Sequence, residues 1–375
     1  MGLASSSGQT AHKVQLDGLR TLAVGAVLWY HWVHLRHYGI PWGPLGVQLF
    51  FVLSGFLITG ILLNARYACE DSSRMFVLRQ FYARRFLRIF PLFYATIMAG
   101  CILGMDGFRA SWEWHAAYLS NVYFWRLDAW VGHLGHFWSL SVEEQFYLVW
   151  PLAMLFAPRR LLLPLIVSAI CAAPLFRFAM AFAQPQNTFS QYLTPSHFDS
   201  LGVGAVIAYA QSCFGRDQQF NINPHYLLVA GVAMLLPAIL IAPLEPLRFT
   251  AQALLFGWLV LRAADGFTGA FGMFLSSTPI TYFGRISYGI YILHVFAIDL
   301  LDYAVTHLGI PSVVIERGLF RVPALAVLTL AMASLSWHAF ESTLNNLKRH
   351  FPYQKDAARL RDSVSTDLQG MNIQR

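Results

Sequence analysis

The stretch LDGLRTLAVGAVLWYH, Leu16–His31, sets a cation and an imidazole inside a run apolar enough to cross a bilayer. Ionisable groups at membrane depth are costly and are seldom kept without a task. Read as an α-helix, the steps from Arg20 to His31 return the side chain to within roughly 20° of the same face, roughly 16 Å further along the axis. One helix face therefore carries a charge near one membrane surface and a titratable base near the middle of the bilayer.

The rest of the 375-residue chain suits the same solvent. Hydrophobic residues make up 57% and charged residues 12%, with a mean hydropathy of +0.50, where soluble domains hold about 25% charged residues. The chain reads as an all-α integral membrane protein. Apolar stretches of spanning length fall at 19–35, 45–64, 88–105, 138–157, 161–182, 198–213, 225–243, 247–263, 279–300 and 319–341. They predict a bundle of about ten transmembrane helices with both termini on one side. A cytoplasmic N-terminus puts 19 of the 26 Lys and Arg on the inner face, which is the positive-inside orientation. The net charge of +7 then belongs to loops beside anionic lipid, and nucleic acid is not expected as a partner.

Three parts follow: a cytoplasmic segment 1–18, a transmembrane domain 19–341 and a cytoplasmic tail 342–375, with no separate soluble domain. Residues 1–18 are too polar for a cleavable signal peptide. Met1-Gly2-Leu3-Ala4-Ser5-Ser6 fits a short lipidation pattern, which adds little to a chain anchored many times over. Cys69, Cys101, Cys171 and Cys213 lack the spacing of a disulfide framework or a zinc site and read as small apolar fillers. The outer segment 106–137, rich in Trp and Tyr, is expected to cover an external cleft.

His31 lies between Trp29-Tyr30 and Trp32, a setting that suits a neutral general base; the plainer alternative is a hydrogen bond across a helix interface. His34 and His37 extend the row, but no acidic or thiolate ligand accompanies them, and no metal is expected. In Gly46-Val47-Gln48-Leu49-Phe50-Phe51-Val52-Leu53-Ser54-Gly55-Phe56, the small Ser54 and Gly55 allow either close helix approach or access for a substrate. Phe81-Tyr82-Ala83-Arg84-Arg85-Phe86-Leu87-Arg88-Ile89-Phe90-Pro91 packs three arginines into five residues. Arg85 and Arg88 share a helix face suited to phosphate oxygens, unless the cluster serves only as a topology anchor. His136-Phe137-Trp138-Ser139-Leu140-Ser141-Val142-Glu143-Glu144-Gln145-Phe146-Tyr147 carries adjacent carboxylates about 100° apart on a helix. At most one of Glu143 and Glu144 is expected to face the interior, where it would orient His31; an exposed one would cap a helix N-terminus.

These motifs in this order, together with Gly284-Arg285-Ile286-Ser287-Tyr288-Gly289-Ile290-Tyr291-Ile292-Leu293-His294, resemble the membrane-bound acyltransferase-3 family over roughly residues 13–341. The resemblance implies a ten-helix enzyme of the bacterial inner membrane. Such an enzyme moves an acyl group, commonly acetyl, from cytoplasmic acetyl-CoA or another acyl-CoA to a hydroxyl of an exopolysaccharide, O-antigen or other lipid-linked or extracytoplasmic glycan. Carried over by position, it implies catalytic roles for Arg20, His31 and Glu143, donor contacts at Arg84, Arg85 and Arg88, and substrate contacts at Ser54, Gly55, Tyr291 and His294. One departure is that Phe340-Glu341 runs into Ser342-Thr343 instead of towards a proline. With no outer domain expected after residue 341, acceptor choice falls to loops of the membrane domain. The competing class is a transporter or glycan flippase that uses Arg20, His31 and Glu143 as a proton relay. An arginine-rich entrance aligned with a membrane histidine, without evident inverted repeats, argues for acyl transfer.

Overall fold

The protein is described from a computed structural model over residues 13–33, 40–68, 73–212, 222–307 and 320–353. His34, His37, Cys69, Cys213, the lipidation pattern at residues 1–6 and the tail beyond residue 353 lie outside them. Among the described residues the chain is helical, without strands.

The principal helices are α1 (Val14–Trp32), α2 (Trp42–Ala68), α3 (Arg74–Leu103), α4 (Phe108–Ala116), α5 (Ser120–Leu127), α6 (Phe137–Phe156), α7 (Arg159–Ala183), α8 (Phe198–Gln211), α9 (Pro224–Leu240), α10 (Arg248–Asp265), α11 (Gly269–Ser276), α12 (Thr278–Arg285), α13 (Ser287–His307) and α14 (Arg321–Ser336). Five segments are long and apolar enough to cross a membrane: Trp42–Tyr67, Arg74–Leu103, Arg159–Ala183, Ser287–His307 and Arg321–His350. The pair Ala242–Asp265 and Gly269–Ser276, bent by 81°, adds a sixth if counted as one span. Ten spans are therefore more than length and composition establish. The shortfall has two physical sources. Helices α1 and α6 carry Asp17, Arg20, His31, Glu143 and Glu144, while α8 and α9, at 14 and 17 residues, are shorter than the roughly 20 residues that cover a hydrocarbon core.

Two boundaries also differ from the sequence reading. The stretch 279–300, expected as one span, breaks between α12 and α13 at Ile286. Helix α3 starts at Arg74 instead of 88, so its arginines sit inside a continuous helix.

Small residues bring the backbones together, as in membrane bundles where packing replaces hydrophobic drive. A Cβ added at Gly55 of α2 would fall 1.9 Å from the Leu201 carbonyl oxygen of α8, and one at Gly204 would fall 2.0 Å from that of Val52. Helix α1 meets α12 in the same way: a Cβ added at Gly284 would fall 1.9 Å from the Asp17 carbonyl oxygen. Helix α7 contributes Arg177, buried and paired with Asp199 of α8 at 2.7 Å. The Arg177 guanidinium also donates to Thr250 (2.8 Å) and to the carbonyls of Pro246 (2.7 Å) and Ser196. Arg177 falls inside the stretch 161–182 expected to span, and the pair and its hydrogen bonds are what a buried charge requires.

Residues 106–137 fold into α4, α5 and a short turn, Leu134–His136. The fully buried His115 ties this unit together, its ring nitrogens 2.9 Å from Ser111 Oγ and 2.8 Å from Ser120 Oγ. Burial pushes its pKa down to about 4.

Candidate active site

Two chambers lie end to end inside the bundle. The first, about 90 Å³, is bordered by Arg20 of α1, Ser54 of α2, Arg85 and Arg88 of α3, and both Glu143 and Glu144 of α6. That corrects the expectation that at most one carboxylate faces inward: the chamber is broad enough to meet two helix faces roughly 100° apart. The second chamber, about 450 Å³, is bordered by His31, His136, Asp302 and Arg321, and by the 106–137 unit through Trp130 and His133. Val47 and Tyr291 border both chambers and form the neck between them.

In the arginine chamber, Tyr147 Oη donates to Ser54 Oγ (3.0 Å), and Ser54 Oγ donates to Glu143 Oε1 (2.6 Å). Arg85 stacks over the Tyr147 ring at 5.3 Å, a cation–π contact that steadies the guanidinium. Arg20 is held by Asp17 at 2.8 Å, one helical turn away. Arg84 faces elsewhere. It donates to the carbonyls of Lys348 (2.8 Å) and Phe351 (3.2 Å) and stacks on Tyr353 at 5.1 Å, pinning the segment after α14. Gly55 likewise meets α8 rather than a chamber, whereas its neighbour Ser54 borders the arginine chamber.

At the neck Ser139 Oγ and Tyr291 Oη lie 2.5 Å apart and 3.1 and 3.0 Å from the His136 carbonyl, so one hydroxyl donates to the carbonyl while the other donates to its neighbouring hydroxyl. Tyr291 and His294 share a face of α13 through their i,i+3 spacing. His294 Nδ1 is 2.6 Å from the Tyr291 carbonyl, and its Nε2 is 3.1 Å from His31 Nδ1. The carbonyl can only accept, so His294 carries its proton on Nδ1. With both rings neutral, His294 Nε2 then accepts from His31 Nδ1–H. The tautomer so fixed puts the basic lone pair of His31 on Nε2, the task an orienting partner performs for a catalytic histidine. Glu143, the partner expected from sequence, is instead engaged by Ser54 beyond the neck.

Sequence reasoning singled out Arg20, His31, Arg85, Arg88 and Glu143, and the fold gathers them around the two chambers. It missed the pairing of His31 with His294, the Ser139–Tyr291 contact and the Arg321–Asp302 ion pair (2.7 Å) bordering the larger chamber. Only the Tyr291–His294 spacing signalled any of these. Among the described residues no three His, Cys, Asp or Glu side chains gather into a metal-binding set.

The chain is 27% identical over 373 residues to peptidoglycan O-acetyltransferase OatA of Listeria monocytogenes, covering 91% of this chain and 57% of the relative. It is 26% identical over 315 residues to O-acetyltransferase OatA of Staphylococcus aureus, covering 74% and 49%. A protein of Haemophilus influenzae without assigned function is 29% identical over 240 residues, covering 52% of this chain and 95% of the relative. The chain thus spans about half the length of the two O-acetyltransferases. No solved structure matches it. A family model described as an acyltransferase domain matches residues 13–338, nearly the whole helical bundle and every chamber residue named above; the Arg84 partners Lys348, Phe351 and Tyr353 lie beyond it. The chain therefore belongs to the acyltransferase-3 family.

Proposed function

We propose that the chain is an integral membrane O-acyltransferase that moves an acetyl or related acyl group from a cytoplasmic acyl-CoA to a hydroxyl of an extracytoplasmic or lipid-linked glycan. Exopolysaccharide, O-antigen and peptidoglycan-type acceptors all suit the reading, the last through the similarity to the peptidoglycan O-acetyltransferase of Listeria monocytogenes. The observation that carries it is the junction at Tyr291 of a chamber lined by Arg20, Arg85 and Arg88 with a larger one lined by His31. Guanidinium groups suit phosphate oxygens, and a pantetheine arm spans the roughly 16 Å of helix rise between Arg20 and His31.

In this scheme His31 Nε2 takes the proton of the acceptor hydroxyl as its oxygen attacks the thioester carbonyl. The C–S bond breaks and CoA leaves as the thiol after receiving that proton. His294 keeps the His31 tautomer, and Glu143 with Ser54 and Tyr147 positions the arginine wall. Arg84 supports the donor side by anchoring the segment after α14. The orientation has both termini in the cytoplasm of a bacterial cell, and α1, α6, α8 and α9 complete a bundle of about ten spans, with 19–341 as the membrane domain.

Mass spectrometry of extracted glycans from cells expressing wild type or His31→Ala, with protein abundance matched, tests the reading. The expected result is loss of a defined acyl mass from a sugar while the glycan backbone persists. Unchanged acylation would refute His31 as the base, and loss of the whole surface glycan would favour transport.

A further inference from the structure

After the π-helical turn Trp337–Glu341, two short helical turns, Ser342–Asn346 and Leu347–His350, lie against α3. Both fall beyond residue 338, where the family match ends. Arg84 of α3 holds them through the backbone, donating to the carbonyls of Lys348 and Phe351. Helix α13 backs the start of the segment, where a Cβ added at Gly289 would fall 3.1 Å from Glu341 Oε1. That anchorage does not use the Lys348 side chain. Its ammonium donates to Asn345 Oδ1, which occupies one of three donors, and it stands close enough to Arg84, Arg85 and Arg88 to be repelled by each.

Among the described residues, Arg85, Arg88 and Lys348 form no ion pair with a carboxylate. Glu341, the carboxylate close to Lys348 and Arg88, is buried and accepts from Ser336 Oγ at 2.8 Å. Like charges gathered away from bulk water repel one another, and an anion placed among them turns each repulsion into an attraction. Three cations without carboxylate partners match a ligand with several negative charges, and phosphate oxygens suit guanidinium and ammonium groups alike. Arg85 and Arg88 border the arginine chamber, whereas Lys348 lies outside its lining. An acyl-CoA whose thioester lies at the Tyr291 neck and whose pyrophosphate meets the two arginines carries one more phosphate, on the ribose 3′-oxygen, at the end remote from the thioester.

We propose that Lys348 binds the ribose 3′-phosphate of the acyl donor, so that the segment after α14 tells coenzyme A from nucleotides that lack this phosphate. The inference rests on the acyl-CoA reading above and adds to it the residue that meets the nucleotide end. Calorimetric binding of CoA and of 3′-dephospho-CoA to the full chain in detergent micelles tests it. Wild type is expected to prefer CoA by about tenfold, Lys348→Gln to bind the two alike, and Lys348→Arg to keep the preference. A preference is a ratio within one variant, so a loss of folded protein does not mimic the result. The same preference in wild type and Lys348→Gln, or none in wild type, would overturn the proposal and leave the acyl-CoA reading standing. Failure of wild type to bind CoA at all would remove that reading itself. An anionic lipid headgroup offers the same phosphate chemistry, and native mass spectrometry with phosphatidylglycerol separates the two sources. Lipid retention that falls in Lys348→Gln while the CoA preference persists would assign the ammonium to lipid and overturn the proposal.

Discussion

In the proposed reaction His31 is a base directed by a residue 263 positions away in the chain, His294. The chain of donors from His31 Nδ1 through His294 to the Tyr291 carbonyl leaves Nε2 as the basic nitrogen. Replacing His294 with Phe should lower kcat for acyl transfer by about 10²-fold, since a general base contributes about 10²–10⁴ and here loses its tautomer. His294→Gln, whose side-chain oxygen can still accept from His31, should recover a substantial part of kcat with little change in donor KM. Steady-state kinetics of both variants decide this; equal losses in the two would reduce His294 to a packing residue. The Arg20–His31 and Arg85–Arg88 relations were legible in the sequence because helical periodicity fixes which residues share a face. The His31–His294 pair was not, because no local pattern reports which helix faces another. For the same reason Glu143 looked like the partner of His31, when Ser54 is the residue that reaches it.

Two elements answer most directly to their sequences. The Ser54-Gly55 step admitted two readings, access for a substrate or close packing; the structure divides them, Ser54 bordering the arginine chamber and Gly55 touching the α8 backbone. A methyl at Gly55 has backbone in its way, which cannot yield as a flexible side chain can. Gly55→Ala should therefore cost about 1–3 kcal/mol, read as a lower melting temperature of the detergent-solubilised chain. Gly25→Ala, at a position with open space, should leave it unchanged. The 106–137 unit is the second case. Its aromatic content announced a cover, and its fold depends on a neutral buried His115. The ring binds its proton less tightly folded, with a pKa of about 4, than unfolded, at about 6.5. Its contribution is thus fully present above pH about 6.5 and is lost as pH falls towards 4, where the unfolded chain binds the extra proton. Hydrogen exchange over residues 108–127 should accelerate across that window, and His115→Phe should flatten the dependence. Exchange in the wild type that is indifferent to pH, once corrected for intrinsic rates, would contradict it.

On the scale of the whole molecule, the number of spans was harder to read than the existence of a membrane bundle. Charged residues placed inside α1 and α6 depress the hydropathy that marks a span, and the break at Ile286 divides a stretch that looked continuous. Arg20, Glu143, Glu144 and His31 border the two chambers, and the side chains that build a polar site are the ones that weaken a purely apolar signal. In the proposed reaction donor and acceptor enter from opposite faces and meet at Tyr291. Proteoliposomes holding the chain in one verified orientation, with an oligosaccharide acceptor sealed inside and labelled acetyl-CoA supplied outside, test it most directly. When the arginine chamber faces outward, label should reach the enclosed sugar, and Arg88→Ala should raise the donor KM by about tenfold or more. Equal labelling with the opposite orientation, or with Arg88→Ala at unchanged donor KM, would contradict the two-chamber account.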